Sequence, residues 1–189
     1  MPNIPVMRNP TPRYSAETTQ MLYTLHSHAS KYESCLAWTS ILEVFFPTSP
    51  DPEFPHVPPK YKLQVDLESR LPLLTASVVF TQSIFTDTHF LYFHFREKPS
   101  NPDDMTLDTL ATWEDELKRD LLHLPRTYSE SLFGAIAYGR DVRFYQLMPD
   151  ARLEPTYWYA DGLAHQNMDI VYHHRRITNW LRIIKVRWV

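Results

Sequence analysis

The sequence predicts a mixed α/β domain: a central sheet flanked by helices, in the order α-βββ-α-ββ-α. Three observations carry the class. Apolar residues recur at spacings of three and four near both ends and once mid-chain, they alternate with a period of two in between, and Pro47 and Pro125 mark changes of period. With 189 residues, 43% of them hydrophobic, the chain has material for one sizeable core.

Residues 1–14 hold four prolines and read as an extended arm, and 15–189 read as a single domain. Ser15 is a helix N-cap with Glu17 in the first turn, and Met21, Leu22, Leu25, Ala29 and Tyr32 form the apolar face. A second helical stretch runs through Leu36, Trp38, Ile41, Leu42, Phe45 and Phe46, and Pro47 ends it. Six prolines from Pro47 to Pro59 make a stiff exposed loop. Lys60–Glu68 alternates, with Tyr61, Leu63, Val65 and Leu67 on one side and Lys62, Gln64, Asp66 and Glu68 on the other. Ala76–Phe85 and Phe90–Arg96 read as strands joined by a short turn over Thr86–His89, with Leu91, Phe93 and Phe95 opposite Tyr92, His94 and Arg96. Leu107–Leu124 carries a helical stripe of Leu110, Trp113, Leu117, Leu121 and Leu124. Leu132–Tyr138 and Val142–Leu147 form a hairpin about Gly139-Arg140, and a last helix starts near Asp169 with Ile170, His174, Ile177, Leu181, Ile184 and Trp188 on one side.

Composition excludes several functions. Three glycines, Gly134, Gly139 and Gly162, form neither a dinucleotide fingerprint nor a phosphate loop, so no such cofactor is expected. Net charge is −3, giving no global attraction to nucleic acid or to anionic membranes. The lone Cys35 forms no intrachain disulfide or thiolate cluster and reads as a core residue. His26-x-His28 and His173-His174 point in divergent directions on helices, so no metal site is expected. There is no G-x-S-x-G elbow, and Ser129 and Ser131 lack a recognisable partner. No leader or 18-residue apolar stretch occurs, so the expectation is an intracellular protein, cytoplasmic or nuclear, with no membrane contact.

Two segments could bind. Arg175, Arg176, Arg182, Lys185 and Arg187 lie in an acid-free C-terminal stretch, read as a wet helix face that also offers contact to nucleic acid. Tyr157-Trp158-Tyr159 can stack a flat ligand, although capping the core is the favoured reading.

Gln64–Leu67, Phe90–Pro99 and Leu132–Leu147 together resemble the PD-(D/E)XK nuclease-like superfamily, in particular a set of divergent fungal proteins of that class, and the resemblance implies a restriction-endonuclease-like core. Gln64-Val65-Asp66-Leu67 is similar to the strand bearing the metal-binding aspartate, with Asp87 as the other candidate. Phe90–Pro99 is similar to the strand ending in (D/E)-x-K, and Leu132–Leu147 to the closing hairpin. Where the family places Glu-x-Lys this chain has His94-Phe95-Arg96, and where its first helix places the acid this chain has Cys35, with Glu33 two residues away. The resemblance therefore implies a degenerate site acting as a binding module for a protein, a small-molecule ligand or nucleic acid. The alternative is an acid/base isomerase or cyclase of natural-product type, in which Asp66, Tyr92, His94 and Arg96 converge. A metal-dependent nuclease is the third reading.

Overall fold

The structure is a computed structural model, and it describes residues 19–20, 22, 24–25, 29–66, 74–83, 86–99, 101, 105–124, 132–160 and 163–187. The expected arm, Ser15, His26, His28, Ser129, Ser131 and Trp188 lie outside them, as do the side chains of Asp87 and Trp158.

A capping box opens the first complete helix, α1 (Lys31–Phe45): Ser30 Oγ accepts from Glu33 N, and Glu33 Oε2 accepts from Ser30 N at 2.8 Å. That cap corrects the expected pattern. Tyr32 belongs to α1 rather than to the preceding helical stretch, and Tyr32 and Leu36, both read as core, are 54% and 61% exposed. The buried face is Cys35, Trp38, Ile41, Leu42 and Phe45.

Strands β1 (Tyr61–Asp66), β2 (Leu74–Ser83) and β3 (Thr86–Arg96) form an antiparallel meander. Residues 86–89, expected as a turn, are in β3. Register shifts at Val78/Val79 and Thr81/Ser83 break the period of two, so the alternation that marks a strand is lost there. Helix α2 (Leu107–His123), capped by Thr106, crosses over to β4 (Leu132–Tyr138), which lies parallel to β3. A turn with Gly139 at φ 57° returns the chain as β5 (Asp141–Leu147), antiparallel to β4.

Four short strands follow that the sequence reading did not contain: β6 (Leu153–Pro155), β7 (Trp158–Ala160), β8 (Leu163–His165) and β9 (Met168–Asp169). β6 and β9 join β5 in a seven-stranded sheet of order β1-β2-β3-β4-β5-β6, and β7 and β8 form a separate ribbon. The last helix, α3 (His174–Arg187), begins five residues later than expected. Asp169 is in β9, and its Oδ1 accepts from Val171 N and Tyr172 N, which turns the chain before the helix starts.

The result is a mixed α/β fold with a mostly antiparallel sheet and three flanking helices. Two chemically different layers cover it. On the α1 and α3 side, Trp38 packs on Phe93 at 5.2 Å and on Phe144 at 6.1 Å, with Ile177, Leu181 and Ile184 of α3 also buried. On the α2 side, Leu117 and Leu121 press on β4 so closely that a Cβ at Gly134 would meet Leu117 Cδ2 at 2.9 Å. No described helix is long and apolar enough to cross a membrane.

Candidate functional site

Alternation along β3 turns Tyr92, His94 and Arg96 toward α2, and sheet register extends that face sideways. Asp66 pairs with Thr75, Thr75 with His94, His94 with Ile136 and Ile136 with Arg143, which makes one row across five strands. Gly134 and Tyr145 lie beside Tyr92, and Tyr138 beside Arg96. The side of the sheet that receives α2 is therefore unusually polar for an interior surface.

The helix answers it with carboxylates. His94 Nε2 lies 3.0 Å from Asp120 Oδ2, and Arg96 Nη2 pairs with Glu116. Tyr145 Oη donates to Glu114 Oε1 at 2.8 Å, and Arg143 Nη1 is 3.7 Å from the same oxygen. The Arg96 guanidinium also lies 5.7 Å from the Trp113 ring. Glu116 and Asp120 are one turn apart, so a single helix edge clamps two successive inward side chains of β3.

Protonation follows from this geometry. His94 has no exposed surface, and burial lowers its pKa, opposed by the Asp120 hydrogen bond. The hydrogen bond from His94 holds the Asp120 carboxyl below the usual range. Both directions fit a neutral imidazole donating Nε2–H to an ionised carboxylate, with Nδ1 a buried acceptor that has no partner among the described residues. A second proton would sit on that Nδ1 with nothing to receive it. Burial, then the Glu114 charge, raises the Tyr145 hydroxyl.

The sequence candidates are thus divided. Tyr92, His94 and Arg96 share the face under α2, and Asp66 is on the same face but exposed, roughly 10 Å from His94 across two strand spacings. Asp120, not Asp66, is the carboxylate that His94 contacts. Arg96, weighed as a surface ion pair, is 6% exposed. Cys35 is buried, and burial pushes its thiol up to about 11, as befits a core residue rather than a nucleophile. His173 Nδ1 accepts from Asp169 N at 2.9 Å, and His174 Nδ1 lies 3.1 Å from Val171 O, so backbone engages both rings. Among the described residues no three His, Cys, Asp or Glu side chains group as metal ligands.

Tyr157 and Tyr159 are 47% and 70% exposed and do not cap the core, correcting the favoured reading. Tyr157 instead lines a polar depression of ≈ 310 Å³ with Arg143, His165, Gln166 and Asn167. Arg175 and Arg176 are exposed on α3 and Arg182 is half-buried, with Arg176 Nη1 donating to Tyr159 O at 3.3 Å.

Asp120, Glu116, Glu114, Tyr145 and Arg143 were missed. Their one signal was the placing of Glu116 and Asp120 immediately before Leu117 and Leu121 of the apolar stripe, which puts acids at its edge. No family model, curated protein or solved structure matches this chain.

Proposed function

We propose that this chain is a catalytically silent domain of the PD-(D/E)XK nuclease-like class that works by binding. The observation that carries the reading is the closure of β3. At the positions where the resemblance expects a metal-holding acid and a water-orienting lysine stand His94 and Arg96, each engaged by an α2 carboxylate and shut away from solvent. The meander, the crossover helix and the parallel strand with its antiparallel return support the scaffold. An acid/base enzyme would need substrate to reach His94, whose surface is wholly covered.

For the partner, the outer face of α3 is the supporting feature. Arg175, Arg176 and Arg182 fall on a helix with no acidic residue, a local cationic strip on a chain of net charge −3. The polymer that suits it is nucleic acid, held by its phosphates and not by its bases.

Anisotropy titration of labelled single- and double-stranded DNA tests both halves. Affinity is expected to fall steeply between about 50 and 200 mM salt, and to fall again in Arg175→Ala/Arg176→Ala/Arg182→Ala, with neither strand cut in Mg²⁺ or Mn²⁺. Cleavage would overturn the silent site. Salt-independent binding, or none, would overturn the nucleic-acid surface.

A further inference from the structure

On the far side of the sheet from α2, the proline-rich loop arches over a cavity of ≈ 700 Å³. Pro47, Pro50, Pro52, Phe54, Val57 and Pro58 line it together with Tyr61, and Lys60 and Lys185 are among its polar lining residues. The volume is that of a site for a small organic molecule, and the lining has the character of one: mostly apolar, with a few polar groups gathered together. The prolines fix the backbone around it, so little conformational freedom remains to be lost when it is filled.

The cationic groups of the lining are Lys60 and Lys185. Tyr61 stacks edge-on against Phe46 at 5.3 Å and lies near Phe90 at 6.1 Å, and its hydroxyl oxygen, buried and without a hydrogen-bond partner among the described residues, has no accessible surface from which to meet a ligand. Lys185 Nζ donates to Phe45 O at 2.7 Å and lies 5.6 Å from the Tyr61 ring centre. Among the described residues neither Lys60 nor Lys185 is in an ion pair. The one acid in the lining, Asp51, turns its carboxylate to its own loop, where Oδ1 accepts from Glu53 N at 2.9 Å. Burial and then the neighbouring Lys60 charge lower Lys185, the condition an incoming anion relieves.

We infer that this cavity is a binding site for an apolar monocarboxylate, with the hydrocarbon body against the prolines, Phe54 and Val57, and the carboxylate beside Lys185 and Lys60. The apolar lining selects the body and the two ammonium groups select the head. A polyphosphate suits the site poorly, because the prolines and Val57 offer no donors for its further oxygens. The site lies on the other side of the sheet from His94, with Lys185 more than two turns along α3 from Arg175 and Arg176, and it stands whether or not those bind nucleic acid.

Calorimetric titration of the full chain with decanoate, beside decan-1-ol as the uncharged match, tests it. One equivalent of decanoate is expected to bind, at least about tenfold more tightly than decan-1-ol. Lys185→Met should bring decanoate down to the level of the alcohol. Because Lys185 also holds Phe45 O, Lys60→Met gives a second reading, weakening decanoate while leaving decan-1-ol unchanged. No saturable binding, equal affinity for the two probes, or decanoate binding indifferent to both substitutions would each overturn the assignment.

Discussion

Replacing Asp120 by Ala removes the carboxylate that His94 Nε2 contacts and leaves a buried N–H facing the space the acid filled. An orphaned buried donor costs about 1–3 kcal/mol, and for a chain of this length that lowers Tm by roughly 2–12 °C. Replacing both partners by leucine removes the orphan along with its partner, so the double variant should be more stable than the two single losses predict. The pH dependence adds an independent check. The folded His94 pKa lies below its ordinary value. Above about pH 6.5 the imidazole is neutral folded and unfolded, and its contribution is complete. As pH falls below that value the unfolded chain takes up a proton that the folded one does not, so stability declines by up to about 1.4 kcal/mol per pH unit until the folded pKa is reached. Urea unfolding from pH 7.5 to 5 measures both effects. If Asp120→Ala costs less than about 0.5 kcal/mol, or if the double leucine variant keeps the full wild-type slope, the pairing and the neutral imidazole are both wrong.

The other predictions concern packing, capping and reactivity. Gly134→Ala should destabilise by about 1–3 kcal/mol in the same urea assay, because the added methyl meets Leu117 and Leu121, both fully buried. Ser30→Ala, which dismantles the capping box of α1, should cost about 0.5–2 kcal/mol, with Ser30→Thr restoring most of it. Cys35 should stay unreactive toward a chromogenic disulfide reagent at pH 8 in the folded protein and react fully in denaturant, since burial pushes its thiol up to about 11.

What could be read from the sequence follows from how much periodicity each element carries. Helix α2 and the β4–β5 hairpin come through nearly to the residue, because a 17-residue amphipathic stripe and seven-residue strands about Gly139 give repeated signals. Strands β6 to β9 have three residues or fewer, too short to repeat any pattern. The start of α1 was readable and was missed: Ser30-x-x-Glu33 is a capping sequence in plain view. The start of α3 was not, because Asp169 could equally begin a helix or, as it does, turn a strand into one.

The candidate site divides the same way. Alternation alone placed Tyr92, His94 and Arg96 on one face of β3, since side chains in a strand alternate whatever packs on them. Register could not be read, so the distance from Asp66 to His94 and the approach of Asp120 from 26 residues away waited on the fold. The sequence by itself determined which side chains travel together along each helix and strand, because that is local geometry. Only the tertiary structure decided which helix edge met them, closing His94 under α2 and leaving the cavity beneath the prolines open on the other side of the sheet. Such meetings depend on the crossover and on strand order, and neither leaves a mark on neighbouring residues.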